Sequence, residues 1–167
     1  MTIATLDHAA IARRVPHHGN MCLLNTLEGW TPDTIHCTAN NHRNLLHPMR
    51  TASGLLTACA VEYAGQAMAL HGALLAEALV PENEDFAPQP GFLASVRTVR
   101  LLVERLDGIE GEIHVHAQRL SGDARQILYG FCVQDSCANL LADGRAIVVL
   151  GVPLPYTTQE ATVYPGA

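Results

Sequence analysis

One long apolar segment, residues 55–80, constrains the fold of this chain more than any other feature. Placed on a helix, it is apolar on nearly every side, so the helix needs cover all around. A helix facing lipid rarely tolerates the polar residues that interrupt it, which are Glu62, Gln66, His71 and Glu77. The segment therefore predicts a helix buried inside protein, roughly Leu55 to Leu79, rather than a membrane span.

The rest of the chain alternates in the manner of β-strands. In residues 112–120, Ile113, Val115 and Ala117 fall on one face of a predicted strand. Short turns join such runs, which favours an antiparallel sheet. We predict an α+β domain in which a strongly curved sheet covers most of the helix and a second subunit covers the rest. The predicted strands are Thr34–Asn40, Gly91–Val103, Glu112–Leu120, Gln126–Gln134 and Asn139–Leu150.

Length and composition indicate one ordinary domain over residues 1–167, with a loop at 81–90 and a peripheral tail at 151–167. The net charge of −6 comes with only ten basic residues and no basic stripe, so we expect no nucleic-acid partner. The five cysteines include no CxxC pair, and the amino terminus lacks the pattern of a signal peptide. These features favour a reduced, cytoplasmic protein with no membrane partner.

Glu62 is the residue of the apolar segment that most needs an explanation. Burying an ionised carboxylate without partners is costly, so such a group stays protonated or finds hydrogen-bond donors. Gln66 lies four residues further along, on the same helical face, and is placed to donate an amide hydrogen bond. The alternative is an incidental Glu62 that reaches solvent or bonds a loop amide.

Three motifs accompany this carboxylate. The folded part opens with Pro16-His17 before an apolar run, a loop carries His47-Pro48, and the helix carries Glu62 and Gln66. Together they resemble the hotdog-fold 3-hydroxyacyl-acyl-carrier-protein dehydratases. The resemblance covers most of residues 16–150 and is closest to the aryl-polyene pathway branch, because Tyr63 follows the Glu. It implies a hotdog fold, a curved antiparallel sheet around one long central helix.

The resemblance also implies roles for particular residues. His47 takes the proton next to the thioester carbonyl, and Glu62 protonates the departing hydroxyl, since burial favours a protonated carboxyl. The amide near Thr57 polarises the carbonyl, while Gln66 and His42 contribute to substrate binding. In the family the His and the Glu come from opposite subunits, so the site requires a dimer. No cofactor is expected.

Two departures from the family pattern bear on these roles. The Gly-His-Phe-Pro-Gly loop of the family is replaced here by residues 46–50, Leu-His-Pro-Met-Arg. Thr57 stands where the family has a glycine. Both changes favour a second hypothesis, a non-catalytic subunit that completes a heterodimeric dehydratase.

Other histidines compete with His47 or have bland explanations. His42, in the same loop, is a rival base. His17 occupies a position used structurally in the family, so we expect it to pack and cap the loop. His114 and His116 share one strand face, which we interpret as an exposed or interface surface rather than a metal site.

The expected partners follow from the same resemblance. An acyl carrier protein, which is acidic, would bring the acyl chain on its phosphopantetheine arm and could dock on Arg97, Arg100 and Arg105. A homodimer or heterodimer would form edge to edge through one of the strands between Gly91 and Val103. Two further hypotheses remain open, a hotdog thioesterase that activates water with the helix carboxylate and a plain acyl-binding domain.

Overall fold

The computed structural model describes residues 5–79 and 91–150 of the chain. The predicted loop at 81–90 and the predicted tail at 151–167 lie outside the described residues. The elements in chain order are α1 (His8–Ala12), a 3₁₀ turn (Gly19–Met21), β1 (Thr26–Trp30), β2 (Thr34–Ala39), a second 3₁₀ turn (Thr57–Cys59), α2 (Ala60–Glu77), β3 (Gly91–Leu101), β4 (Ile113–Gly122), β5 (Gln126–Asp135) and β6 (Leu140–Leu150).

The strands form one antiparallel sheet against which α2 packs. Their spatial order is β1-β2-β4-β5-β6-β3, so β1 and β3 are its outer strands. α2 contacts β2, β4 and β5, three strands that are adjacent in the sheet. The predicted antiparallel sheet with a single long buried helix is thus confirmed.

Alternation along the strands builds the core between sheet and helix. On β4, Ile113, Val115 and Ala117 are buried, while the intervening histidines are half-buried on the opposite face. On β2, Ile35 and Cys37 are buried in the same way. Removing this apolar surface from water drives the sheet onto the helix, at about 25 cal/mol per Å².

The helix begins later than its apolar pattern predicts. α2 starts at Ala60, after the 3₁₀ turn, and not at Leu55. The residues from Leu55 to the start of the 3₁₀ turn pair with 104–106: Leu106 N–H donates to the Leu55 carbonyl at 2.8 Å, and Thr57 N–H donates to the Glu104 carbonyl at 3.1 Å. Hydropathy alone cannot distinguish a buried extended segment from a buried helical one.

Polar side chains inside α2 are hydrogen-bonded. His71 is fully buried, donates through Nε2 to the Thr31 carbonyl at 2.8 Å, and accepts at Nδ1 from the Tyr129 hydroxyl at 2.9 Å. Burial lowers the pKa of His71, which keeps the imidazole neutral.

No helix in the described ranges is long and apolar enough to span a bilayer.

Candidate active site

Glu62 lies in the first turn of α2 and is bonded by two side chains. His17 Nε2 lies 3.0 Å from its Oε1, and Gln66 Nε2 donates to the same oxygen at 2.9 Å. His17 comes from the segment between α1 and the first 3₁₀ turn, whereas Gln66 is one helical turn further along α2. We call these three residues the Glu62 cluster.

Gln66 connects the Glu62 cluster to the backbone of residues 21–23 through hydrogen bonds. Its Oε1 accepts from Leu23 N–H at 2.8 Å, and its Nε2 donates to the Met21 carbonyl at 2.7 Å as well as to Glu62. Both amide hydrogens are therefore used, and Gln66 is fully buried. The predicted contact between Gln66 and Glu62 is confirmed, whereas direct substrate binding by Gln66 remains a prediction.

The charge of Glu62 differs from the sequence-based expectation. The hydrogen bond from His17 is the largest influence on its pKa and lowers it; burial opposes this effect, and the bond from Gln66 adds to it. The net result is a pKa below the ordinary value for Glu62, whose side chain is 32% exposed. The expectation that burial keeps this carboxyl protonated is thus wrong for the single chain, because two donors stabilise the ionised form.

His47 lies in the loop before α2 and is buried. Its Nδ1 accepts from Met49 N–H at 3.2 Å, so the proton is on Nε2, which donates to the Tyr63 hydroxyl at 3.0 Å. Tyr63 in turn donates to Asn41 Oδ1 at 2.7 Å. Burial is the main cause that lowers the pKa of His47, which keeps it neutral. Its role as a base remains a prediction, and it requires Nδ1 to exchange the Met49 amide for substrate.

His42 is also buried, and more completely. Its Nε2 donates to the Ile109 carbonyl at 3.0 Å, and burial is the main cause that lowers its pKa. Its Nδ1 is buried and has no hydrogen-bond partner among the described residues. Contact between His42 and a substrate, the role predicted for it, therefore requires the loop to open.

Thr57 uses both of its donors within the chain. Its amide bonds the Glu104 carbonyl, and its hydroxyl donates to the Val103 carbonyl at 2.6 Å. Neither is free to polarise a thioester carbonyl in this conformation. The predicted role of Thr57 remains a prediction, and it needs the pairing with Glu104 to be exchanged.

Near these residues, the part of the chain that the structure describes encloses only a small space. A cavity of about 170 Å³ lies beside His47, lined by residues that include His8, Cys22, Asn41 and Pro48. Pockets for small-molecule ligands typically measure about 300–1,000 Å³. A larger groove of about 1050 Å³ is lined by all six strands, and the Glu62 cluster does not line it. Within residues 5–79 and 91–150, the space beside His47 is thus smaller than such a pocket.

Three histidines meet on the sheet. His36 of β2 pairs with His116 of β4 in the strand register, and their rings stack with centroids 4.1 Å apart. His36 Nε2 lies 3.0 Å from His114 Nδ1. Burial, and then the charges of His116 and His114, lower the pKa of His36 to about 4. Over residues 5–79 and 91–150, no group of three side chains is arranged to hold a metal ion.

The contact between His17 and Glu62 is the part of the site that sequence reasoning missed. The Pro16-His17 motif predicts loop packing, whereas the imidazole reaches the helix carboxylate. The two residues are 45 positions apart, counted from their numbers, and no periodicity links them. The sequence holds one signal for this contact. The Pro16-His17 motif that accompanies the helix Glu contains a polar side chain, His17, that is able to bond a carboxylate.

Comparison with known proteins supports the resemblance seen in the sequence. Residues 9–151 match the model of the ApeP-like family, described as ApeP dehydratase. The predicted resemblance to hotdog dehydratases of the aryl-polyene branch is thereby confirmed. A comparison with proteins of curated function found no significant match.

Solved structures share the fold. The dehydratase heterocomplex ApeI:P from Xenorhabdus doucetiae matches with a TM-score of 0.72 and 21% identity, over 87% of this chain and 91% of that one. A thioesterase from Haemophilus influenzae matches with a TM-score of 0.59 and 11% identity, over 93% and 98% of the two chains. At these identities the likeness establishes the hotdog fold alone.

Proposed function

The chain belongs to the ApeP-like dehydratase family of hotdog proteins, and on that premise we propose that it acts on 3-hydroxyacyl thioesters of an acyl carrier protein in fatty-acid or polyene biosynthesis. The observation that carries the proposal is the Glu62 carboxyl held by His17 and Gln66 at the start of an otherwise apolar helix. Perturbed carboxyls in such positions are typical of catalytic sites.

The reaction requires two proton transfers. A base removes the proton from the carbon next to the thioester carbonyl, the bond to the 3-hydroxyl breaks, and an acid protonates the departing oxygen to release water. We assign His47 as the base and Glu62 as the acid. Glu62 Oε1 takes both internal bonds, so Oε2 is the oxygen available for proton transfer. A bound substrate that excludes water would favour the protonated carboxyl.

The site needs a second subunit, and β3 is the edge that we propose for it. β3 pairs with β6 on one side, and no other described strand pairs with its second edge. Its exposed apolar side chains include Leu93 at 40% and Leu101 at 48%. Long apolar edge strands are templates for pairing with another chain. The partner is a copy of this chain or another hotdog subunit, and the heterocomplex from Xenorhabdus doucetiae favours the latter.

An acyl carrier protein is the proposed donor of the acyl chain, and the cytoplasm the proposed location. Two of the three arginines expected to dock the carrier are already paired within the chain, Arg100 with Asp143 and Arg105 with Asp107. Arg97, exposed on β3, remains for the carrier. All five cysteines are free, which suits a reducing compartment.

Two alternatives have specific support. An ionised Glu62 suits a general base that activates water, and thioesterases share the fold, so hydrolysis of the thioester is the first alternative. The second is a non-catalytic subunit, because both His47 nitrogens and the Thr57 amide are engaged within the chain.

Intact-protein mass spectrometry of the carrier separates these functions. The chain is incubated with a 3-hydroxyacyl carrier protein, alone and co-purified with a hotdog partner. We expect loss of one water from the acyl chain and the reverse reaction from the 2-enoyl carrier. Release of the free carrier thiol would instead identify a thioesterase. A partner that is fully active without this chain, together with an inactive chain, would overturn the proposal.

A further inference from the structure

We propose that His17 is a positioning residue that acts on Glu62 from within the same chain. In this proposal the subunit that carries Glu62 also fixes the orientation of its carboxylate in the shared site. The inference rests on the proposed function, because it assigns a partner to the acid of that reaction. It starts from one contact, the 3.0 Å separation of His17 Nε2 and Glu62 Oε1.

Two donors converge on one carboxylate oxygen. His17 and Gln66 both bond Oε1 of Glu62. His17 does so from the segment before the first 3₁₀ turn, and Gln66 from α2 itself. Hydrogen bonds to a charged acceptor are about twice as strong as neutral ones, and two of them fix the plane of the carboxylate as well as its charge. Gln66 cannot change its contribution, because its amide hydrogens are both committed and it does not titrate.

The polar contact of His17 serves Glu62 alone among the described residues. Its Nδ1 is buried and has no hydrogen-bond partner there, so Nε2 makes the contact that orients the ring. The backbone on either side is anchored by the buried Val15 and Cys22. By contrast, the neighbouring His18 is exposed and makes no side-chain capping bond. The arrangement favours a role for His17 beyond loop packing.

His17 and Gln66 are the side chains whose hydrogen bonds lower the pKa of Glu62, and the bond from His17 has the larger effect. Glu62 in turn acts on a neighbouring thiol, that of Cys59 at the end of the second 3₁₀ turn. Burial is the main cause that raises the pKa of Cys59, and the charge of Glu62 raises it further, so the thiol stays neutral. Loss of the His17 bond should therefore raise the pKa of Glu62 toward its ordinary value and free its side chain to rotate.

A titration of the Glu62 carboxyl carbon by NMR tests this without any turnover. We expect His17→Ala to raise the midpoint, and His17→Gln, which retains an N–H donor, to raise it less. His18→Ala is the matched control and should leave the midpoint unchanged. An unchanged midpoint in folded His17→Ala, or in His17→Gln if the alanine variant does not fold, would overturn the inference. A shifted midpoint in a chain without dehydratase activity would instead count against the proposed function only.

The pH dependence of kcat/KM in the active assembly gives the second readout. The bond from His17 stabilises the ionised carboxylate, whereas the proposed acid acts in its protonated form, so loss of the bond should extend activity toward higher pH. We expect His17→Ala to shift the limb that reports Glu62 to higher pH, and His17→Gln to shift it less. A lower rate with the pH profile unmoved would show a merely structural role and would refute the inference.

Discussion

His47 and Tyr63 are joined by a buried hydrogen bond of 3.0 Å, from imidazole Nε2 to the phenol oxygen. The Tyr63 hydroxyl in turn donates to Asn41 Oδ1, and Met49 N–H donates to the other imidazole nitrogen of His47, Nδ1. Because Tyr63 directly follows Glu62, this network ties the whole loop of the candidate base to the helix turn that carries the candidate acid. The two predicted catalytic residues are thus linked through the fold although they do not bond each other in the described chain.

The hydroxyl of Tyr63 should contribute measurably to stability. Tyr63→Phe leaves His47 Nε2–H and Asn41 Oδ1 without their shared partner in a largely buried setting. Leaving buried polar groups unpaired costs about 1–3 kcal/mol, which urea unfolding followed by circular dichroism will detect. A free energy of unfolding within about 0.5 kcal/mol of wild type, the usual range for surface substitutions, would mean that water replaces the hydroxyl at no cost.

The two loop histidines should separate in an activity assay. His47→Ala removes the proposed base, and loss of a general base commonly costs on the order of 100- to 10,000-fold in rate. His42→Ala should keep the rate and lose stability instead, because the Ile109 carbonyl loses its donor. Activity measured on the carrier-bound substrate, with unfolding curves for both variants, checks this. An active His47→Ala and an inactive, folded His42→Ala would transfer the base to His42.

The stability of the fold should fall in mild acid, in part through His36. Its pKa is about 4 in the folded chain, against an ordinary value of 6.5 for histidine, so the folded state disfavours the protonated ring. The contribution is fully present above about pH 6.5 and is lost progressively as the pH falls toward about 4.

His36→Gln provides the comparison for that pH effect. The variant removes the titrating group, so its unfolding midpoint in urea should decline less than that of wild type between neutral and mildly acidic pH. Part of the decline will persist, because burial also lowers the pKa of His42, His71 and His116. Identical declines for variant and wild type would exclude His36 as a source.

A charge on β3 should break the association of subunits. Leu101 is 48% exposed on this outer strand, and Leu101→Lys places a charge on the proposed interface. Leu120→Lys, at a residue 44% exposed on the inner strand β4, is the matched control. Sedimentation should show dissociation for Leu101→Lys only. A wild-type chain that is monomeric at working concentration, with or without a hotdog partner, would contradict the shared site.

The alternation of apolar and polar residues predicted the strands well, because a strand places successive side chains on opposite faces wherever it lies in the fold. The alternation of Ile113, Val115 and Ala117 with histidines predicts β4, which the structure places at Ile113–Gly122. The predicted start of α2 is wrong by five residues, from Leu55 to Ala60, because the start of the apolar segment pairs with residues 104–106 and then makes a 3₁₀ turn. Pattern within a segment carries no information on such pairing.

The candidate site divides in the same way. The bond from Gln66 to Glu62 follows from helical spacing and is predictable from the sequence. The contact of His17 with Glu62, and the lowered pKa of Glu62 that results, depend on how a distant segment folds across α2. The engagement of both His47 nitrogens likewise depends on the loop conformation, which the motif does not encode.

Glu62→Gln tests the central claim most directly. The substitution retains the shape of the side chain and removes its ability to carry a proton, whereas Glu77→Gln makes the same change at the other end of α2, where Glu77 pairs with Arg14 at 3.0 Å. The measurement is the rate of water loss from a 3-hydroxyacyl carrier protein, followed by mass spectrometry on the active assembly. We predict a loss on the order of 100- to 10,000-fold for Glu62→Gln and a wild-type rate for Glu77→Gln. Full activity of folded Glu62→Gln would contradict the account.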